Sequence, residues 1–163
     1  MSAAMSSGRH PVAASPYEAS VGDAIPVFKR TTGLHEWNRF AAVNDEFVSI
    51  HMDDEAGRAA GFPGAIGMGR LQWSYLHNML RAWLPPGGRI VAIRAELRAP
   101  NRNGATITAH GVVTAVRDEG GQRRVELDTW IDDEEGSRLA PGSAVVEVPA
   151  APAYIVQADT GNL

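Results

Sequence analysis

An acid, a histidine and a glycine at the head of a helix are the residues of this chain that could do chemistry together. Glu46 lies five residues before His51, and Gly69 opens a long predicted helix. A carboxylate and an imidazole can hold one water molecule between them and exchange protons with it. The N-terminus of a helix carries about half a positive charge and can stabilise an oxyanion. The pattern therefore predicts an acid/base pair beside an anion-binding helix end.

Three segments around these residues resemble the signature of the MaoC-like, (R)-specific enoyl-CoA hydratase family of hot-dog proteins. Asp45–Asp53 stands where that family has Gly-Asp-x-Asn-Pro-Ile-His-x-Asp. Glu55–Phe62 supplies its alanine-rich helix and turn, and Met68–Leu71 stands at its His/Asn-Gly-Met-Leu. The order of predicted elements over residues 20–149 is similar to the family as well.

The resemblance implies a reaction and roles for individual residues. Counted back from His51, the family's catalytic aspartate falls on Glu46, which is one methylene longer; a shift by one residue would make Asp45 the acid instead. The implied activity is that of a hydro-lyase, which adds or removes water across a 2-enoyl thioester. Glu46 and His51 would serve the water, and the backbone at Gly69 would stabilise the enolate, since glycine lets the thioester approach closely.

Departures from the signature keep two other functions open. Val48 and Ser49 stand at the family's Asn and Pro, and Met68 replaces the His or Asn before the helix glycine. A non-catalytic subunit that binds an acyl thioester or pairs with an active partner is therefore an alternative. A hot-dog thioesterase is less well supported, because such enzymes usually carry a carboxylate on or near the central helix and residues 69–84 contain no Asp or Glu.

Four further residues are candidates for substrate contacts: Ile50, Met68, Gln72 and Arg94. Gln72 is the one polar residue in the apolar arc of the long helix, so it either lines a substrate tunnel or donates a hydrogen bond to a neighbouring loop. Arg94 could contact the phosphates of coenzyme A or an acyl carrier protein, unless it only solvates a sheet face. No His-Glu-x-x-His pattern or phosphate-binding loop is present, so neither a metal nor a nucleotide cofactor is expected.

Composition limits the class of protein. The 163 residues suit one domain, and the net charge of −4 argues against nucleic acid or an anionic membrane as the main partner. The chain has no cysteine, which excludes disulfides and thiolate chemistry and fits a cytoplasmic location. No apolar run approaches the ~18 residues of a membrane span.

Hydrophobic periodicity predicts an α+β fold, an antiparallel sheet around one long helix, and the resemblance identifies this layout as hot-dog. Residues 1–19 are expected to be a disordered leader and 150–163 a C-terminal tail. Unpaired sheet edges favour a homodimer, or a dimer of dimers. The predicted helices span 35–42, for which Thr31 and Thr32 offer an N-cap, a short segment that begins near Asp53, and Gly69–Leu84, whose polar residues form one narrow stripe that includes Arg70. The predicted strands span 21–30, 89–98 with alternating side chains, 105–117, 123–131 and a last segment ending at Val148. In the strand over 123–131 the expected inward residues are Val125, Leu127, Thr129 and Ile131.

Overall fold

A five-stranded antiparallel sheet in the order β1-β3-β4-β5-β2 curls around one long helix. The computed structural model describes residues 10–150. The predicted α+β hot-dog layout is confirmed. The strands are β1 (Phe28–Thr31), β2 (Arg89–Ala95), β3 (Thr106–Glu119), β4 (Gln122–Asp132) and β5 (Arg138–Pro149); the helices are α1 (Leu34–Asn44), a 3-10 turn (Ser49–His51), α2 (Asp54–Ala59) and α3 (Gly69–Trp83).

The core lies between α3 and the concave face of the sheet. Apolar side chains recur along α3 at helical spacing, and Leu76 and Leu80 are fully buried. The inward face that alternation predicted for β4 is buried as expected, at Val125, Leu127, Thr129 and Ile131. Burial of this apolar surface is the main force that holds the helix inside the sheet.

The first strand is shorter than predicted and α1 begins differently. Only Phe28–Thr31 forms a strand, because Pro26 has no N–H to donate to a ladder and Ala24 makes isolated bridges only. Thr32 does not cap α1, whose N-cap is Gly33. Its hydroxyl is buried and accepts a hydrogen bond from the indole N–H of Trp37 at 2.8 Å. The threonine thus satisfies a buried donor in the core.

The predicted disordered leader is wrong for residues 10–19. Ala13 and Ala19 are buried, and the backbone carbonyl of Ala13 accepts a hydrogen bond from the Trp83 indole at 3.0 Å. The Ala19 carbonyl accepts another from the Arg123 guanidinium at 2.8 Å. The buried alanines and the hydrogen bonds to these two carbonyls hold the segment against the domain. Residues 1–9 and 151–163, which include nearly all of the expected tail, lie outside the described part of the chain.

Strand β2 forms one edge of the sheet and contains a bulge between Ile90 and Ala92. The bulge breaks the simple alternation expected for this strand, so that Val91 is 40% exposed. The strand ends at Ala95, and Leu97 lies beyond it with 52% of its surface exposed.

Among residues 10–150, no helix combines the length and apolar character needed to cross a membrane.

Candidate active site

Glu46 is positioned by the end of α1. Asp45 terminates the helix in the left-handed conformation (φ 52°, ψ 42°), which Asp tolerates better than most residues. The Glu46 N–H then donates to the Ala41 carbonyl at 3.0 Å, so the backbone turns back over the last turn of α1. This geometry brings the carboxylate beside the start of α3, where Oε2 lies 3.6 Å from Nη1 of Arg70. Oε2 is shielded from solvent and has no hydrogen-bond partner.

His51 is held by a backbone carbonyl on the loop before α3. Its Nδ1 lies 2.8 Å from the carbonyl oxygen of Ile66, and the Ile66 N–H in turn donates to the Ile50 carbonyl. A carbonyl can only accept, so Nδ1 carries the proton in this contact. Nε2 of the neutral ring is then left with its lone pair. His51 is therefore oriented to accept a proton or a hydrogen bond at Nε2.

Helix α2 holds the loop that leads to Gly69. The helix begins near Asp53, as the sequence predicted, and the Asp53 carboxylate caps it by accepting from the Ala56 N–H at 2.7 Å. Asp54 accepts from the Ala65 N–H at 2.8 Å. Gly57 packs so closely on this loop that a Cβ there would collide with the carbonyl group of Gly64. The loop is thus clamped onto α2 before it enters α3.

His51 and Gly69 are brought together on the wall of one cleft of about 340 Å³. Gly69 is the first residue of α3, so its N–H has no intrahelical acceptor and is available to a ligand. The Leu97 side chain lies directly over this glycine, where a Cβ would strike its Cδ1. Glu46 is not among the residues that line this cleft, which are His51, Phe62, Ile66, Gly67, Gly69, Gln72, Leu97, Arg98, Ala99 and Pro100.

Gln72 lines the same cleft, one helical turn after Gly69. Its side chain is buried, and Nε2 donates to the Ala99 carbonyl at 3.2 Å. Its Oε1 is buried without a hydrogen-bond partner. Both functions that the sequence left open for this residue are therefore compatible with its position: it bonds a neighbouring segment and it faces the cleft.

The other predicted site residues lie apart from the cleft. Met68 is buried in the core just before α3, and Ile50 does not line the cleft, although its backbone carbonyl accepts from the Ile66 N–H. Asp45 is exposed at the end of α1. Arg94 is exposed on β2 and does not line the cleft, whereas Arg98 does and pairs with Glu96 at 2.8 Å. Within residues 10–150, no group of three or more His, Asp or Glu side chains could hold a metal ion.

Two residues of the site were not identified from the sequence. Arg70 directly follows Gly69, but the sequence carries no signal that its side chain would reach Glu46. Leu97 appeared as an ordinary strand residue. Because β2 ends two residues earlier, its side chain instead covers the glycine at the start of α3.

Comparison with known proteins places the chain in a family. The model of the MaoC like domain matches residues 17–134. The (R)-specific enoyl-CoA hydratase of Aeromonas caviae is 29% identical over 136 residues, which cover 83% of this chain and 99% of the relative. The fold is similar to the unliganded R-hydratase PhaJ1 of Pseudomonas aeruginosa (TM-score 0.74, 20% identity, 84% and 86% of the two chains). It is also similar to a chain of the ChsH1–ChsH2 complex of Mycobacterium tuberculosis (TM-score 0.70, 20% identity, 80% and 98%).

These matches agree with the resemblance noted in the three motifs, and they extend it to most of the domain. The family and the curated relative support a hydratase or dehydratase activity, which is that of a lyase. The chain belongs to the MaoC-like domain family and has its hot-dog fold.

Proposed function

We propose that the protein adds or removes water across the double bond of a 2-enoyl thioester carried by coenzyme A or by the phosphopantetheine of an acyl carrier protein. One observation carries the proposal: His51, whose Nε2 is left to accept, and Gly69, whose N–H has no intrahelical acceptor, line the same cleft. An acceptor for water and a donor for a developing oxyanion are the two groups that this reaction needs. The named activity of the Aeromonas caviae relative supports the same conclusion.

In the proposed hydration, His51 Nε2 accepts a hydrogen bond from a water molecule at the cleft. The Glu46 carboxylate, which does not line the cleft, reaches this water from beside the start of α3 and takes its proton. The water oxygen then bonds to Cβ of the substrate, and the electrons of the double bond move towards the thioester oxygen. The enolate that forms is stabilised by the N–H of Gly69 and the positive end of α3. Return of a proton to Cα completes the addition of one water molecule, and dehydration is the reverse. All groups in this scheme belong to the chain, so no metal or nucleotide is required.

Purified protein is expected to hydrate a short 2-enoyl-CoA without added metal or nucleotide and to give the (R)-3-hydroxyacyl product. Loss of the enoyl absorbance measures the rate, and chiral analysis of the product measures the configuration. Release of free thiol instead would assign the protein to thioester hydrolysis. Absence of turnover over a range of chain lengths, with both carriers, would contradict the proposed activity.

A non-catalytic, thioester-binding subunit is the second candidate. It is favoured by the position of Glu46, which does not line the cleft of His51 and Gly69. The presence of Val48 and Ser49 where the family has Asn and Pro also favours this alternative. Under this alternative the protein binds an enoyl-CoA, measured by calorimetry, but does not convert it.

We further propose that the protein pairs with a second copy along the outer edge of β2. This edge carries the exposed Val91, and Leu97, which covers Gly69, lies two residues beyond the end of the strand. Exposed strand edges with apolar side chains are sites of association. Light scattering at micromolar concentration is expected to give the mass of two 17.4 kDa chains. Val91→Arg should shift the mass towards that of one chain. The control Val21→Arg, at an exposed loop position, should leave the mass unchanged. A wild-type protein with the mass of one chain would contradict the pairing.

A further inference from the structure

We propose that Arg70 is a positioning residue that holds the Glu46 carboxylate in place for proton transfer. The inference rests on the proposed hydratase function and adds a residue to its machinery. Two observations carry it: the ion pair between Arg70 Nη1 and Glu46 Oε2 at 3.6 Å, and the shielding of that same oxygen from solvent without a hydrogen-bond partner.

Glu46 needs such a contact because its side chain is otherwise weakly held. Its backbone is tied to Ala41, but the carboxylate lies beyond three rotatable bonds whose freedom must be lost to reach one geometry. The distance of 3.6 Å is longer than that of a charge-assisted hydrogen bond, about 2.7–2.9 Å, so the attraction is one of charge rather than of a directed bond. Such an attraction restrains the Glu46 carboxylate without a directed hydrogen bond to Oε2.

The position of Arg70 in α3 gives the contact a second consequence. Arg70 directly follows Gly69, whose N–H is the proposed oxyanion donor. The first turn of α3 therefore positions both the Glu46 carboxylate, through Arg70, and the N–H of Gly69. A displacement of about 1 Å between such groups can lower a rate by roughly 10²-fold. Glu46 has one methylene more than aspartate, and hence one more rotatable bond, so its carboxylate depends more strongly on the restraint by Arg70.

Arg70 can be replaced without disturbing the core, because its side chain is 75% exposed. Arg70→Met is expected to lower kcat about 10- to 100-fold with little change in KM and in thermal stability. Arg70→Lys, which keeps the charge, should recover part of the loss. Arg81→Met, at an exposed position in the last turn of the same helix, is the matched control and should behave as wild type.

The decisive comparison repeats Arg70→Met in a Glu46→Gln background. If Arg70 acts through Glu46, the substitution causes no further loss there. An equal loss in both backgrounds, or a raised KM with unchanged kcat, would overturn the positioning role, the latter indicating a substrate contact. If the wild-type protein turns over the substrate and Arg70→Met is unaffected, the positioning role is refuted while the proposed function stands. A wild-type protein without turnover refutes the proposed function, and this inference falls with it.

Discussion

Replacing Glu46 by Gln is expected to lower the rate of 2-enoyl-CoA hydration by about 10³-fold. The amide keeps the size and shape of the side chain but cannot take a proton from water. Folding should be nearly unaffected, because the lost ion pair joins Glu46 to an Arg70 side chain that is 75% exposed, and exposed pairs contribute little. Steady-state kinetics and a thermal unfolding curve measured on the same preparation test both parts of the prediction.

Asp45→Asn is the matched control for this substitution. Asp45 adopts the left-handed conformation at the end of α1, and Asn tolerates that conformation equally well. The variant should therefore fold and turn over as wild type. The opposite pattern, in which Asp45→Asn is inactive and Glu46→Gln is active, would show that Asp45 is the acid and that the alignment is shifted by one residue.

His51→Asn is expected to lower the rate by a similar factor, about 10²- to 10⁴-fold. An asparagine amide can still donate to the Ile66 carbonyl in place of Nδ1, so the loop before α3 should keep its conformation. It has no group at the position of Nε2, which is the atom proposed to hold the water. Kinetics with the same substrate measure the loss, and His35→Asn, at an exposed position in α1, controls for a general effect of removing a histidine. An active His51→Asn protein would remove the imidazole from the proposed reaction.

Elements with a strong local pattern could be predicted from the sequence. The limits of α3 agree within one residue, because a narrow polar stripe defines its outer face and Pro85 and Pro86 prevent its continuation. The β3–β4 hairpin follows from alternation on both sides of the turn at Gly120 and Gly121, which have positive φ. The N-terminus of α2 follows from the capping carboxylate of Asp53.

Features that depend on contacts distant in sequence could not be predicted in this way. Residues 10–19 have the composition of a flexible segment, yet the carbonyl of Ala13 satisfies the buried indole of Trp83, 70 residues away. The ion pair of Glu46 with Arg70 and the packing of Leu97 over Gly69 likewise require the fold. Motif spacing predicted that His51 and Gly69 would meet, but not that Glu46 would pair with an arginine outside their cleft.

The central claim is that Glu46 and His51 serve one water molecule in a hydration reaction, and the double variant Glu46→Gln/His51→Asn tests it most directly. Groups that act as a unit show strongly non-additive losses when they are removed together. The turnover rate of the double variant with a short 2-enoyl-CoA is therefore expected to lie close to that of the slower single variant. A rate lowered by the product of the two single losses would contradict the claim, because the two side chains would then act independently.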